Sequence, residues 1–158
     1  MNGFTHVAGG ALAGCAIVYF TNASEQLPVI LTAAAIGALV PDIDNPHSTI
    51  QKYVPGVGKI LGHLLTHRGV THSLVFAGLL TLVLNMISLP WNIAIAFIAG
   101  IISHLILDTL NPMGVPWLWP LPGRFSIPLV KSSCLAERFF FMPLMLALAA
   151  YSVYITYF

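Results

Sequence analysis

The sequence predicts an all-α protein, a polytopic membrane helix bundle of about five transmembrane helices with an amphipathic interfacial helix and a Pro/Trp-rich cytoplasmic loop. Three observations predict it. Of 158 residues, 58% are apolar and only 7% charged, where a soluble domain carries roughly 25% charged residues. The apolar residues gather into five runs, each close to the roughly 20 residues that a bilayer span needs. All six Lys and Arg fall between those runs, in two long connections. The length suits a single domain, 1–158, and a net charge of +1 gives no electrostatic basis for a nucleic-acid partner. Cys15 and Cys134 form no metal-ligand motif. No basic region precedes the first run, so no cleavable signal peptide is expected.

The first run, Val7 to Thr21, is rich in small residues (AGGALAGCA), which let membrane helices approach closely and place it inside the bundle. The second, Leu27 to Val40, stops at Pro41 and is short for a span. The third runs from Ser73 to Leu89 and the fourth from Trp91 to Leu110. The fifth runs from Phe139 to Phe158 and ends among tyrosines suited to a membrane interface. Within the connection from Asp42 to His72, KYVPGVGKILGHLL offers a short amphipathic helix lying on the membrane. The connection from Asn111 to Arg138 contains NPMGVPWLWPLPGRFSIP and predicts an ordered, non-helical cover.

Orientation follows from the basic residues. Lys52, Lys59 and Arg68 lie in the first long connection, and Arg124, Lys131 and Arg138 in the second. With five spans both connections share the side of the N-terminus, and the positive-inside rule puts that side in the cytoplasm and the C-terminus outside.

The same side collects the candidate chemistry. His6 begins the first run, Asp42 and Asp44 end the second, His67 and His72 precede the third, and His104 and Asp108 end the fourth. Alternating helix directions bring these seven potential ligands together. His104 and Asp108, at i and i+4, share a helix face and suit one metal ion. Asp42 and Asp44 sit where Pro41 turns the chain, and Gly69 permits the bend that aims His67 and His72 inward. Imidazole plus carboxylate suits zinc first, with manganese or iron compatible, and the lack of thiolates argues against a structural cysteine site. Carboxylates at a membrane edge call for a cation. Arg68 has the planar fork that holds a phosphate. Glu137, at the start of the fifth run, is a ligand, a general base or the partner of Arg138. His47 and His63 read as surface residues.

PDIDNPHS, THRGVTHS and SHLILDTLNPMGVPWLWP together resemble, in order and wording, the YdjM family of predicted membrane-bound metal-dependent hydrolases. The resemblance runs from His6 to about Pro120. It implies a hydrolase of the bacterial inner membrane, with Asp42, Asp44, His67, His72, His104 and Asp108 in its polar motifs. The order His, Asp, His, His-x-x-x-Asp is also loosely similar to the helical zinc-dependent phospholipase C group, whose N-terminal amine is a ligand. Here five residues precede His6 and the later ligands of that group have no match, so one or two metals fit better than three.

The expectation is thus a membrane enzyme with one or two divalent ions that hydrolyses a phosphate ester or phosphodiester. His72, His104 and Asp108, with Asp42 or Asp44, hold the first ion, and His6 and His67 complete a second. Arg68 stabilises charge on the phosphoryl group, and a carboxylate such as Glu137 takes the proton. A site at the membrane edge under a tryptophan-rich cover suits a lipid or lipid-linked substrate. The rival classes are a divalent-metal transporter, which needs a midplane site and a polar path to both sides, and a non-catalytic scaffold whose metal staples helices.

Overall fold

Asparagine is a strong helix N-cap, and the first helix begins where Asn2 stands rather than where the apolar run begins. The Asn2 side chain accepts from the Phe4 amide at 3.2 Å, so α1 covers Gly3–Thr21 and takes in His6 near its start. Asn22, in the left-handed conformation (φ 51°), ends it. The computed structural model describes residues 1–45, 48, 69–132 and 134–157. The expected amphipathic helix, together with His47, His63, His67 and Arg68, lies outside them.

The second run forms α2, Leu27–Gly37, of only 11 residues. Its flanking 3₁₀ turns, Ser24–Gln26 and Val40–Asp44, extend it to an apolar stretch of 21 residues from Ser24 to Asp44. α3, Leu74–Met86, stops three residues before the expected Leu89 and has 13 residues. It rises about 20 Å, short of the roughly 30 Å hydrocarbon layer. The short span is therefore the third helix and not the second. α4 covers Trp91–Thr109. The fifth run opens with a π turn, Glu137–Phe141, and continues as α5, Met142–Tyr157. Among the described residues, four stretches are long and apolar enough to cross a membrane: Gly3–Thr21, Ser24–Asp44, Trp91–Thr109 and Glu137–Thr156.

α1, α2 and α4 pack mutually as the centre of the bundle, α5 packs on α1, and α3 lies against α4. Small residues set the closeness. A Cβ on Gly37 would overlap the Phe97 carbonyl, and one on Gly100 the Ala34 carbonyl, so α2 and α4 meet backbone to backbone. Val18, Leu27, Ile30, Ala33, Ala34 and Ala96 make an apolar core at one end of the bundle. The buried polar residues His6, Asp44, His72, His104, Asp108 and Glu137 gather at the other.

The expected non-helical cover is present. The Ile127 amide donates to the Thr109 carbonyl (2.8 Å) and those of Leu129 and Val130 to the Leu110 carbonyl (3.1 and 3.0 Å), so the segment closes over the end of α4. Val115 and Phe125 form a bridge within it. Trp117 ties it on both sides: its indole N–H donates to Thr109 Oγ1 (2.8 Å), and its carbonyl accepts from the Leu74 amide (3.0 Å) at the start of α3.

Candidate metal centre

The end of α2 is built to hold a histidine of α4. Pro41 has no N–H, so the helical ladder cannot continue through it, and the Asp42 amide turns back to the Leu39 carbonyl at 3.2 Å in a 3₁₀ turn. The Ala38 carbonyl is thereby left to accept from His104 Nδ1 at 2.7 Å. A carbonyl only accepts, so Nδ1 carries a proton, and in the neutral ring Nε2 is the nitrogen able to ligate. His72 is fixed by a relay of the same kind. Thr71 Oγ1 donates its single hydrogen to Asp44 Oδ2 at 2.9 Å, so it accepts from His72 Nδ1, 3.0 Å away. The neutral ring of His72 therefore also presents Nε2 as its ligating nitrogen.

These two nitrogens face each other at 3.3 Å. Asp42 Oδ1 lies 3.8 Å from His72 Nε2 and 4.0 Å from His104 Nε2. Asp108 Oδ2 lies 3.8 Å from each. Ligand atoms around a tetrahedral zinc, bonded at about 2.0–2.1 Å, stand about 3.3–3.4 Å apart. The two nitrogens are thus at tetrahedral-ligand spacing, with one oxygen of Asp42 and one of Asp108 each within 4.0 Å of both, a set that a small divalent ion would draw together. A shared proton would serve only one pair of atoms, whereas four converge here.

The second face of Asp108 meets a second group. Its Oδ1 is in contact with the Met1 amine and lies 3.3 Å from His6 Nε2. His6 is fully buried and stacks on His104, with ring centroids 3.7 Å apart and planes at 14°. His6 Nδ1 has no hydrogen-bond partner among the described residues, and Nε2 has only the approach to Asp108 Oδ1. A buried imidazole so thinly satisfied is costly. His6, His104 and Asp108 on one side, and Asp42, His72 and His104 on the other, each bring three ligand atoms within 4.8 Å of one another. His104 offers only Nε2, so Asp108, with one oxygen toward each group, is the residue that links them.

Asp42 faces the two histidines, and Asp44 acts behind His72 through Thr71. That division places Asp42 rather than Asp44 beside the imidazoles, and it depends on the 3₁₀ turn, which the sequence shows only as a proline. Asp42 is 15% exposed while His6, His72, His104 and Asp108 are 0–1% exposed, so the cluster opens toward the surface on the Asp42 side. Glu137 is buried at the same end, but its Oε1 accepts from the Asn2 amide (2.6 Å) and Thr5 Oγ1 (3.0 Å). Sequence reasoning missed Thr71, whose only signal was its place beside His72, and the Ala38 carbonyl, which no side chain could announce. His67 and Arg68 lie just before Gly69, outside the described residues.

The family model described as YdjM inner membrane protein matches residues 1–158. Among similar proteins, the Inner membrane protein YdjM of Escherichia coli is 34% identical, with 86% of this chain and 77% of that protein covered. The Uncharacterized protein YvsG of Bacillus subtilis is 33% identical over 96% of this chain and 94% of its own length. The Inner membrane protein YbcI of E. coli is 36% identical over 64% of this chain and 60% of its length. No solved structure matches. The chain belongs to the YdjM family of inner membrane proteins.

Proposed function

We propose that this YdjM-family protein is a metal-dependent hydrolase that cleaves a phosphate ester or phosphodiester of a lipid or lipid-linked substrate at the cytoplasmic face of the inner membrane. The observation that carries the reading is the pair of Nε2 atoms of His72 and His104, 3.3 Å apart, each with its Nδ1 already bonded and with Asp42 and Asp108 oxygens beside them. Such a set suits zinc, and manganese or iron are compatible. Asp108, facing His6 with its other oxygen, supports a second ion beside the first. A divalent ion there would lower the pKa of bound water toward neutrality and polarise the phosphoryl oxygen.

The chain's own residues supply the rest. Ala38 and the Thr71–Asp44 relay hold the two imidazoles in the ligating tautomer. Arg68, one residue before the Gly69–His72 turn, is the group proposed to hold the phosphoryl oxygens. The opening beside Asp42 suits entry of a headgroup whose tail remains in the bilayer. The arrangement of all six Lys and Arg in the two connections on this side supports a cytoplasmic site and an external C-terminus. A metal transporter would need a polar path through the bundle, yet both ligand groups among the described residues lie at one end, and the apolar core of Val18, Leu27, Ile30, Ala33, Ala34 and Ala96 fills the bundle beyond them.

The test is hydrolysis of phospholipids and lipid phosphates in proteoliposomes by wild type, Arg68→Lys and His72→Ala. The expected order is activity in wild type, less in Arg68→Lys with metal content kept, and none in His72→Ala or with chelator. Equal rates in all three, or activity that survives chelation, would place the chemistry elsewhere.

A further inference from the structure

Glu137 is 1% exposed at the start of the last span, in a π turn. Such turns are rare and recur at functional sites, and the extra residue shifts the helix face by about 100°. Here the shift separates two surroundings. Phe139 and Phe140 are 66% and 77% exposed, as lipid-facing residues would be, while Glu137 turns inward against α1. It does not pair with Arg138, which makes no ion pair among the described residues. One oxygen, Oε1, accepts both the Asn2 amide at 2.6 Å and the Thr5 hydroxyl at 3.0 Å. Asn2 caps α1, and its carbonyl accepts from the His6 amide at 3.2 Å. Thr5 directly precedes His6. The carboxylate therefore grips the first turn of α1 on both sides of the residues that carry His6 toward Asp108.

We infer that Glu137 is a positioning residue for the His6 side of the metal centre, acting through the first turn of α1, and is not the general base. The inference rests on the metal reading above. Its logic is geometric: α5 packs on α1, and Glu137 is the polar contact between them that lies beside the cluster. Both bonds to the first turn of α1 use an oxygen that a glutamine also has, so the charge is dispensable to that grip and the acceptor is not.

The test is metal binding to the purified full chain in detergent, by chelator competition with zinc, with Glu137→Gln, Glu137→Ala and Thr5→Val beside wild type and His6→Ala. His6→Ala identifies the ion held on the His6 side. Glu137→Ala should weaken that ion about 10- to 100-fold, the usual range for groups that orient ligands, and leave the ion at His72 and His104 in place. Glu137→Gln should stay within about threefold of wild type by the same scale. Thr5→Val, which keeps the side chain's shape and loses one bond, should fall between them. If glutamine loses as much as alanine, the negative charge itself is needed and Glu137 is a ligand or base, which overturns the inference. Glu137→Ala binding as wild type does also overturns it. A wild-type chain that takes up no zinc would instead sink the metal reading, and the inference with it.

Discussion

At the scale of single residues, the tautomers of two histidines decide what the site can hold. Acceptors on Nδ1 of His72 and His104 leave Nε2 as the nitrogen that a neutral ring would offer to an ion. Thr71 makes the sharpest test, since it touches no proposed ion. Thr71→Val should weaken metal affinity by about 10- to 100-fold, because His72 loses its acceptor and Asp44 its donor. Thr71→Ser, which keeps the hydroxyl, should bind nearly as wild type does, and equal affinity in the valine variant would contradict the relay. The residue types of the site were legible in the sequence: His and Asp at helix ends, and an i,i+4 pair on one face. Their division of labour was not. Whether Asp42 or Asp44 faces the imidazoles depends on a 3₁₀ turn, and the inward aim of Glu137 depends on a π turn. Neither has a periodic signature in the chain.

At the scale of elements, the site is a consequence of close backbone packing. α2 and α4 touch at Gly37 and Gly100, and this closeness brings the Ala38 carbonyl within reach of His104. Gly100→Ala should push the two helices apart, lowering both thermal stability and metal affinity. Gly78 is the control. A Cβ there meets nothing within 4 Å, and alanine is the better helix former by roughly 0.5–1 kcal/mol. Gly78→Ala should therefore leave metal binding unchanged and hold or raise the melting temperature. If both substitutions behave alike, helix proximity does not govern the site. The apolar runs foretold all five helices because length and hydropathy are strong signals for membrane segments. Their ends were less legible. α1 begins four residues before its apolar run because Asn2 caps it, a local hydrogen bond that hydropathy does not register.

At the scale of the whole molecule, both three-residue ligand groups among the described residues lie at one end of the bundle. The starts of α1, α3 and the last span and the ends of α2 and α4 meet there, as alternating helices require. Single-cysteine labelling of cells should find Lys59, Arg124 and the N-terminus on the cytoplasmic side and the C-terminus outside. An internal C-terminus would mean that one segment fails to cross, and α3, the shortest helix, is where that would arise. Membrane character and single-ended polarity were readable from composition and from where the charges fall. The cover over α4 was foreseen as ordered from its prolines and tryptophans. Its attachment through Trp117 to both Thr109 and Leu74 was not, because both bonds depend on how the cover folds back over the end of α4.

The central claim is a divalent metal centre at His72, His104, Asp42 and Asp108. The most direct measurement is elemental analysis of the purified protein with a thermal melt before and after chelation, in wild type and His104→Ala. Bound metal stabilises the fold by mass action, about 2.7 kcal/mol when free ion stands at 100 times its dissociation constant. Wild type should carry one or two equivalents of a divalent transition metal and melt lower once chelated. His104→Ala should carry markedly less and respond little to chelator. Wild-type protein without metal under these conditions, or His104→Ala with full occupancy and an unchanged chelator shift, would contradict the account.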